Sequence, residues 1–310
     1  MHRRQFIKYS TVLFASVGAG ACSVQVQSKS LNTSLGVQLF MLRESMQKSP
    51  EKTLEEIAGI GFKEVELFGF GKSLFNSDPF FGLGPRRFSE VLKNNGLTAP
   101  IAHLAGSVDD EEKLAELADI VAIKRFVIAM PPEFVDRTSG RARIVGVQSL
   151  EQLDRMSERL NNEASKLSKH GIGFGYHNHN MEFKNVGGVV AFDYLMQQLD
   201  RNLVAIELDL GWVAAAGLSP VQWINKYGSR IQSVHLKDYS SSIPAGLDST
   251  KYPIPEMSQL VLPGHGDLKF KDIFNALDSM GIKHRFLEVD LPQNPMEEAQ
   301  IGFSYLSRYL

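Results

Sequence analysis

Short apolar, β-rich runs alternate with longer amphipathic stretches from residue 35 to the C-terminus. The runs are Leu35–Phe40, Glu64–Phe68, Ala99–Leu104, Arg125–Met130, Gly173–Asn178, Val204–Asp209, Ile231–Leu236 and Arg285–Val289. Between and after them, apolar positions recur at helical spacing. These stretches run over about Thr53–Ile60, Pro85–Asn95, Glu111–Ile123, Gln148–His170 and Val189–Leu199, then from Ser219-Pro220, and over Leu268–Met280 and Met296–Tyr309. Gly61 and Gly96 close two of the helices, and Ser219 followed by Pro220 places an N-cap before proline at the first helical position. Strands alternating with helices predict a parallel sheet covered by helices. Eight such units favour closure into a single (β/α)8 barrel over an open doubly wound sheet. No G-x-G-x-x-G follows the first run, which disfavours a dinucleotide fold. The loop from Asp238 to Asp267 is the one large excursion expected, and no second domain is.

Composition agrees with this architecture and narrows the partners. The chain has 310 residues, 43% apolar and 22% charged, enough to bury a sizeable core. Formal net charge is -2 and no run of Lys or Arg follows the first few residues, so no nucleic-acid footprint is expected. The first residues differ in kind. Arg3-Arg4, Phe6 and Lys8 precede a mildly apolar run from Tyr9 to Ala19 and then Gly20-Ala21-Cys22. That order predicts a twin-arginine-type signal peptide over residues 1–22, a linker over 23–34, and an exported, periplasmic barrel over 35–310. Cys22 is the only cysteine, which excludes an internal disulfide and disfavours a thiolate metal cluster. Its place after Ala19-Gly20-Ala21 leaves two readings open, a lipoprotein with a lipid anchor at Cys22 or an ordinary cleavage site.

Active sites of βα barrels lie at the carboxyl ends of the strands. The last positions of the runs carry Glu66, His103, His177 with His179, Asp209, His235 with Lys237, and Glu288. A hydrophobic strand does not need an acid or an imidazole there, and each would cost several kcal/mol if desolvated unpaired. A shared divalent cation removes that cost, so His177, Asp209, His235 and Glu288 are the expected metal ligands. Taken singly, each residue also has a plain structural role: Asp209 could cap the following turn, Glu288 could pair with Arg285, and Lys237 with Asp238. The concurrence of so many at one depth argues for the cation. A set of two imidazoles and two carboxylates suits Mn, Fe, Co or Zn.

These residues fall in blocks with a resemblance of their own. Tyr176-His177-Asn178-His179 with Glu182-Phe183, Glu207-Leu208-Asp209-Leu210-Gly211-Trp212, Val234-His235-Leu236-Lys237-Asp238, Gly264-His265-Gly266 and Phe286-Leu287-Glu288-Val289-Asp290 follow in that order. From Leu35 onward the chain resembles the sugar phosphate isomerase/epimerase group of xylose isomerase-like TIM barrels. The resemblance implies one Mn-, Co- or Zn-type ion held by Glu, Asp, His and Glu on the fifth to eighth strands. Asp209, His235 and Glu288 match three of those positions, and His177 stands where the group carries glutamate. The epimerase mechanism, with two facing metal-bound glutamates, therefore does not carry over intact.

The expected chemistry is proton abstraction next to a carbonyl of a keto-sugar through an enediolate, with the metal as Lewis acid. Glu288 is the expected metal-bound base or acid. His103 and Glu66 are candidates for the opposite face, His179 for a proton donor, and Lys237 for an oxyanion partner. Trp212 and His265 are expected to contact substrate, and Phe68, Phe70, Phe80 and Phe81 to offer apolar faces to a sugar ring. Reprotonation gives an isomerase or epimerase, the leading expectation. Expulsion of a β-substituent gives a lyase or dehydratase acting on keto-glycosides, whose keto group a partner sugar dehydrogenase would supply. A non-catalytic sugar-binding lipoprotein is the alternative of another class, and a DNA-repair nuclease lacks the basic groove it would need.

Overall fold

A computed structural model describes residues 33–71, 78–138, 140, 142–246, 248 and 254–310. The expected signal segment and Cys22 lie outside the described residues. Eight parallel strands close into a barrel: β1 (Ser34–Gln38), β2 (Glu64–Gly71), β3 (Thr98–Ala105), β4 (Arg125–Ile128), β5 (Gly173–His177), β6 (Val204–Asp209), β7 (Ile231–Leu236) and β8 (His284–Leu287). Each pairs with the next in the chain, and β8 returns to β1 with Gly36 opposite Phe286 and Val37 opposite Leu287. Eight helices cover the outside: α1 (Pro50–Ile60), α2 (Gly84–Asn94), α3 (Glu111–Val121), α4 (Leu150–Ser168), α5 (Ala191–Gln198), α6 (Pro220–Tyr227), α7 (Phe270–Ser279) and α8 (Pro295–Leu306). No helix of the described residues is long and apolar enough to cross a membrane.

Several boundaries differ from the periodicity reading, each for a local reason. β1 stops at Gln38 because Met41 and Leu42 donate back to Gln38 and Leu39 and turn the chain into a short helix, Arg43–Lys48. An unexpected helix, Leu210–Ala215, opens directly at Asp209, whose Oδ1 accepts from the Trp212 amide. α6 then starts where Ser219 and Pro220 predict, with the Ser219 side chain as cap. Excursions leave the carboxyl ends of three strands and fold as small antiparallel pairs. These are Val135–Asp136 with Arg143–Ile144 after β4, Asn185–Val186 with Val189–Val190 after β5, and Asp238–Tyr239 with Leu260–Val261 after β7.

Alternate residues of a strand point to opposite faces, and in a barrel one face is the lumen. Ile101, Val127 and Phe286 come from β3, β4 and β8, yet form one buried cluster apart from the main core. They meet across the lumen and floor it. Glycine makes room for them: a Cβ on Gly36 would come within 2.4 Å of the Phe286 ring and 3.1 Å of Glu64 Cβ. One step further along the strands the lumen turns polar, beginning with Gln38, Glu66, Glu207 and Ser233, all buried.

Because Phe286 is fully buried and cannot swing away, Gly36→Ala overpacks the floor. It is expected to lower stability by about 1–3 kcal/mol, read as the shift of the urea unfolding midpoint at constant slope. An unchanged midpoint would contradict the packing described.

Candidate active site

The polar layer is built by strand register. Gln38 lies opposite Glu66, His177 opposite Glu207, and Asp209 opposite His235, so side chains of neighbouring strands enter the lumen at matched depth. An irregularity between Ile206 and Glu207 sets β6 against β7 so that Glu207 pairs with Ser233 and Asp209 with His235. His235 is the hub. Its Nε2 is 2.6 Å from Glu66 Oε2 and 3.3 Å from Glu207 Oε2, and its Nδ1 is 2.6 Å from Glu288 Oε2. Glu207 Oε2 also meets His103 Nε2 at 2.6 Å and His177 Nδ1 at 3.1 Å, while its Oε1 accepts from Ser233 Oγ. Gln38 Nε2 donates to Glu66 Oε2 at 2.7 Å.

A second cluster stands beside His235, nearer the mouth. Lys237 Nζ lies 2.9 Å from each of Asp209 Oδ2, Glu288 Oε2 and Asp290 Oδ2, and the side chain is 2% exposed. Lys237 therefore pairs with three carboxylates and not with Asp238. Asp238 instead accepts the backbone amides of Tyr239, Gly264, Gly266 and Leu268, pinning the Gly264-His265-Gly266 turn. A Cβ on Gly266 would meet Asp238 Oδ1 and the Tyr239 carbonyl at 2.4 Å, so this turn is held by close backbone approach.

Burial and mutual charge pull these groups apart. Burial pushes the Glu66 carboxyl up to about 7, and the Glu207 charge adds to it. For His235 burial works the other way, but Glu207, Glu66 and Glu288 hold the imidazole well above its ordinary range. Burial disfavours ionised Glu207 and Glu288, yet His235 with His103 in the first case, and Lys237 with His235 in the second, hold both well below the usual carboxylate range. Burial pushes Asp290 up to about 6 and His177 down to about 4, and it holds His179 well below an ordinary imidazole. His103 is raised, because Glu66 and Glu207 outweigh the burial that opposes them.

Above the cluster opens a cleft of about 220 Å³. His103, His177, His179, Lys237, Glu288 and Asp290 line its polar end. Glu66, Asp209 and His235 lie beneath them, out of contact with the cleft but in contact with its lining. Among the described residues, two groups of side chains have ligand atoms within 4.8 Å of one another, as a metal site requires: His103, His177, Glu207 and His235, and Asp209, His235 and Glu288. The donor chemistry fits a divalent ion of the Zn, Co or Mn kind, and Glu66 Oε1 and Asp209 Oδ2 are buried acceptors without an aligned hydrogen bond. The four ligands expected from sequence thus divide. Asp209, His235 and Glu288 form one group and His177 belongs to the other; the two have His235 in common, and His177 Nε2 lies 3.7 Å from Asp209 Oδ2.

Two residues expected to touch substrate lie elsewhere. Trp212 is fully buried behind the cleft, its ring 5.5 Å from that of His179 and 5.7 Å from Lys237 Nζ, in a cluster with Ile254 and Leu260. His265 is exposed on the Asp238-pinned turn, beside Tyr305 and Arg308 on the outer surface. Of the four phenylalanines, Phe68 lines the cleft, whereas Phe70 packs on Phe126 and Phe80 on Phe88 in the core, and Phe81 stacks its edge on Phe68. Glu207, Gln38 and Asp290 were not singled out by the strand-end rule. Gln38 is the last residue of β1, and Glu207 stands two positions before Asp209, on the same face by strand period. Outside the lumen, Glu182 accepts from Tyr176 Oη and from the His179 amide, while Asn178 exchanges hydrogen bonds with the Asp209 backbone. These bonds fix the segment that carries His177 and His179.

Removing one partner of a buried ion cluster strands the other charges. Lys237→Met leaves Asp209, Glu288 and Asp290 facing one another without their ammonium, and is expected to cost about 3–5 kcal/mol of stability at pH 7 by urea unfolding. A loss under 1 kcal/mol would contradict the pairing.

Comparison with known proteins adds kinship to this geometry. A chain of a sugar phosphate isomerase/epimerase from Parabacteroides distasonis superposes with a TM-score of 0.68 at 20% identity, over 90% of this chain and 95% of that one. The IOLI protein, solved with a bound zinc atom, superposes with a TM-score of 0.66 at 13% identity, over 89% and 99%. At such identities these matches speak for the fold. Among curated proteins, an inosose dehydratase of Geobacillus thermodenitrificans is 27% identical over 148 residues, 47% of this chain and 49% of the relative. One from Clostridium botulinum is 28% identical over 164 residues, 50% and 54%. The chain thus spans about half the length of the curated relatives it matches. A family model described as xylose isomerase-like TIM barrel matches residues 54–309, and the chain belongs to that family.

Proposed function

We propose that this barrel is a carbohydrate lyase or dehydratase, which removes a proton next to the carbonyl of a keto-sugar or keto-cyclitol and expels a substituent from the carbon beyond. The observation that carries the reading is the chemical unlikeness of the groups lining the polar end of the cleft. An ionised carboxylate, Glu288, stands beside the Lys237 ammonium, and the imidazoles His103, His177 and His179 line the same end. Two equivalent bases suit an epimerase, which must take and return a proton from both faces of one carbon. A base opposed by a different acid suits elimination, where one group removes the proton and another delivers one to the departing oxygen.

Glu288 is assigned as base and Lys237 as the cation that takes up negative charge developing on the carbonyl oxygen. His103, bound to Glu207 and reaching the cleft, is assigned to protonate the leaving group. Glu66 acts beneath the cleft through its contacts with His235 and His103. A divalent cation, held by Asp209, His235 and Glu288 or by His103, His177, Glu207 and His235, would supply Lewis acidity toward the carbonyl and a neighbouring hydroxyl. The name inosose dehydratase on two relatives supports elimination from a polyhydroxylated ring, and the twin-arginine-type leader supports an exported enzyme. A cleft of about 220 Å³ is below the range of roughly 300–1,000 Å³ typical for drug-sized ligands and suits a small carbohydrate.

The test is NMR of keto-sugars and keto-cyclitols incubated with the enzyme in deuterated water. Deuterium entering one carbon next to the carbonyl, followed by an unsaturated or dehydrated product, is the expected result. Exchange with inversion and no elimination would replace this reading by an epimerase. No exchange with any of them would indicate a binding protein.

A further inference from the structure

The two ends of the cleft differ sharply in chemistry. Six ionisable side chains form the polar end, whereas the remaining described lining residues carry one polar side chain, Arg137, at the exposed rim. The wall is otherwise apolar: Phe40, Phe68, Met130, Val135, Ile144 and Met257 face the cleft. It is a packed surface. Ile144, from the excursion after β4, and Met257, from the excursion after β7, both rest on the buried cluster of Trp212, Ile254 and Leu260. Phe68 is fixed edge-on between Phe40 and Phe81.

A free sugar or cyclitol carries hydroxyls around its whole rim. Those turned toward this wall would lose water without gaining a partner, at a cost set by each unsatisfied group. A substrate that is polar at one end and apolar at the other has no such loss, and it gains from covering the wall. We propose that the substrate is a keto-glycoside whose glycosidic oxygen carries an apolar group, an alkyl or aryl alcohol, and that this alcohol is the leaving group. The inference rests on the elimination reading above and specifies it.

The step balances without a co-reactant. Glu288 takes the proton from the carbon next to the carbonyl, and that C–H electron pair forms the new C=C bond. The bond from the adjacent carbon to the glycosidic oxygen breaks, its pair goes to that oxygen, and His103 protonates it. An unsaturated keto-sugar and a free alcohol result. The carbonyl must therefore lie two carbons from the glycosidic carbon, and a reaction that oxidises a sugar hydroxyl must supply it.

The probes are methyl, butyl and hexyl β-glucosides and the same three oxidised at carbon 3, tested on the intact protein. Calorimetry with the unoxidised series, which cannot react, is expected to show at least tenfold tighter binding for hexyl than for methyl. Met257→Ser is expected to shrink that ratio, and circular dichroism checks that the variant is folded. With the oxidised series the expected product is the free alcohol, released with a higher kcat/KM for butyl than for methyl, two alcohols of similar leaving ability. Equal affinities along the series, or elimination of water with the alkoxy group retained, would overturn the apolar leaving group while leaving elimination standing. Chain-length-dependent binding with no deuterium exchange into any oxidised probe would overturn the elimination reading and the leaving group with it.

Discussion

Five carboxylates, Glu66, Glu207, Asp209, Glu288 and Asp290, are buried together at the carboxyl-terminal mouth of this barrel. Ionised groups out of water must be paired or neutralised, since their isolated burial costs several kcal/mol each. The chain meets this constraint in both ways. Lys237 joins three of the carboxylates, and His235 joins Glu66, Glu207 and Glu288. Burial pushes Glu66 up to about 7 and Asp290 up to about 6, which lets a proton take part of the remaining charge. Such a site responds to protons and cations because few other species can balance it.

The rest of the molecule serves that balance. The apolar floor of Ile101, Val127 and Phe286 closes the lumen below, and register at β5, β6 and β7 sets the ligating side chains at one level. Asp238 turns outward and ties down the segment after β7, which brings Leu260 and Ile254 against Trp212 and so builds one wall of the cleft. Polar chemistry and apolar wall thus come from adjacent residues, Lys237 and Asp238, aimed to opposite sides of one strand end.

The barrel was legible in the sequence because eight strand–helix units repeat with clean changes of period. The site was legible in part, because a polar residue at the end of an apolar strand is a local signal. That signal reached Glu66, His103, His177, Asp209, His235, Lys237 and Glu288, which the fold does bring to one mouth. It passed over Glu207, which stands one strand period deeper than Asp209, yet Glu207 bonds three of the imidazoles or approaches them closely. Trp212 and His265 show the opposite difficulty. Both sit in motifs beside the site, but the helix that opens at Asp209 turns the indole inward, and the Asp238 clamp turns the imidazole out. Which way a side chain leaves a turn depends on tertiary hydrogen bonds that spacing does not encode. Neither does spacing show that the four expected ligands fall into two groups that share His235.

That shared imidazole makes the account testable at a single residue. Elemental analysis after gel filtration should find stoichiometric divalent metal on the wild-type protein and none on His235→Ala, whichever group holds the ion, with Glu207→Ala and Asp209→Ala showing which group it is. A folded His235→Ala protein that keeps its full metal content would contradict the account, because no metal group found among the described residues is complete without His235.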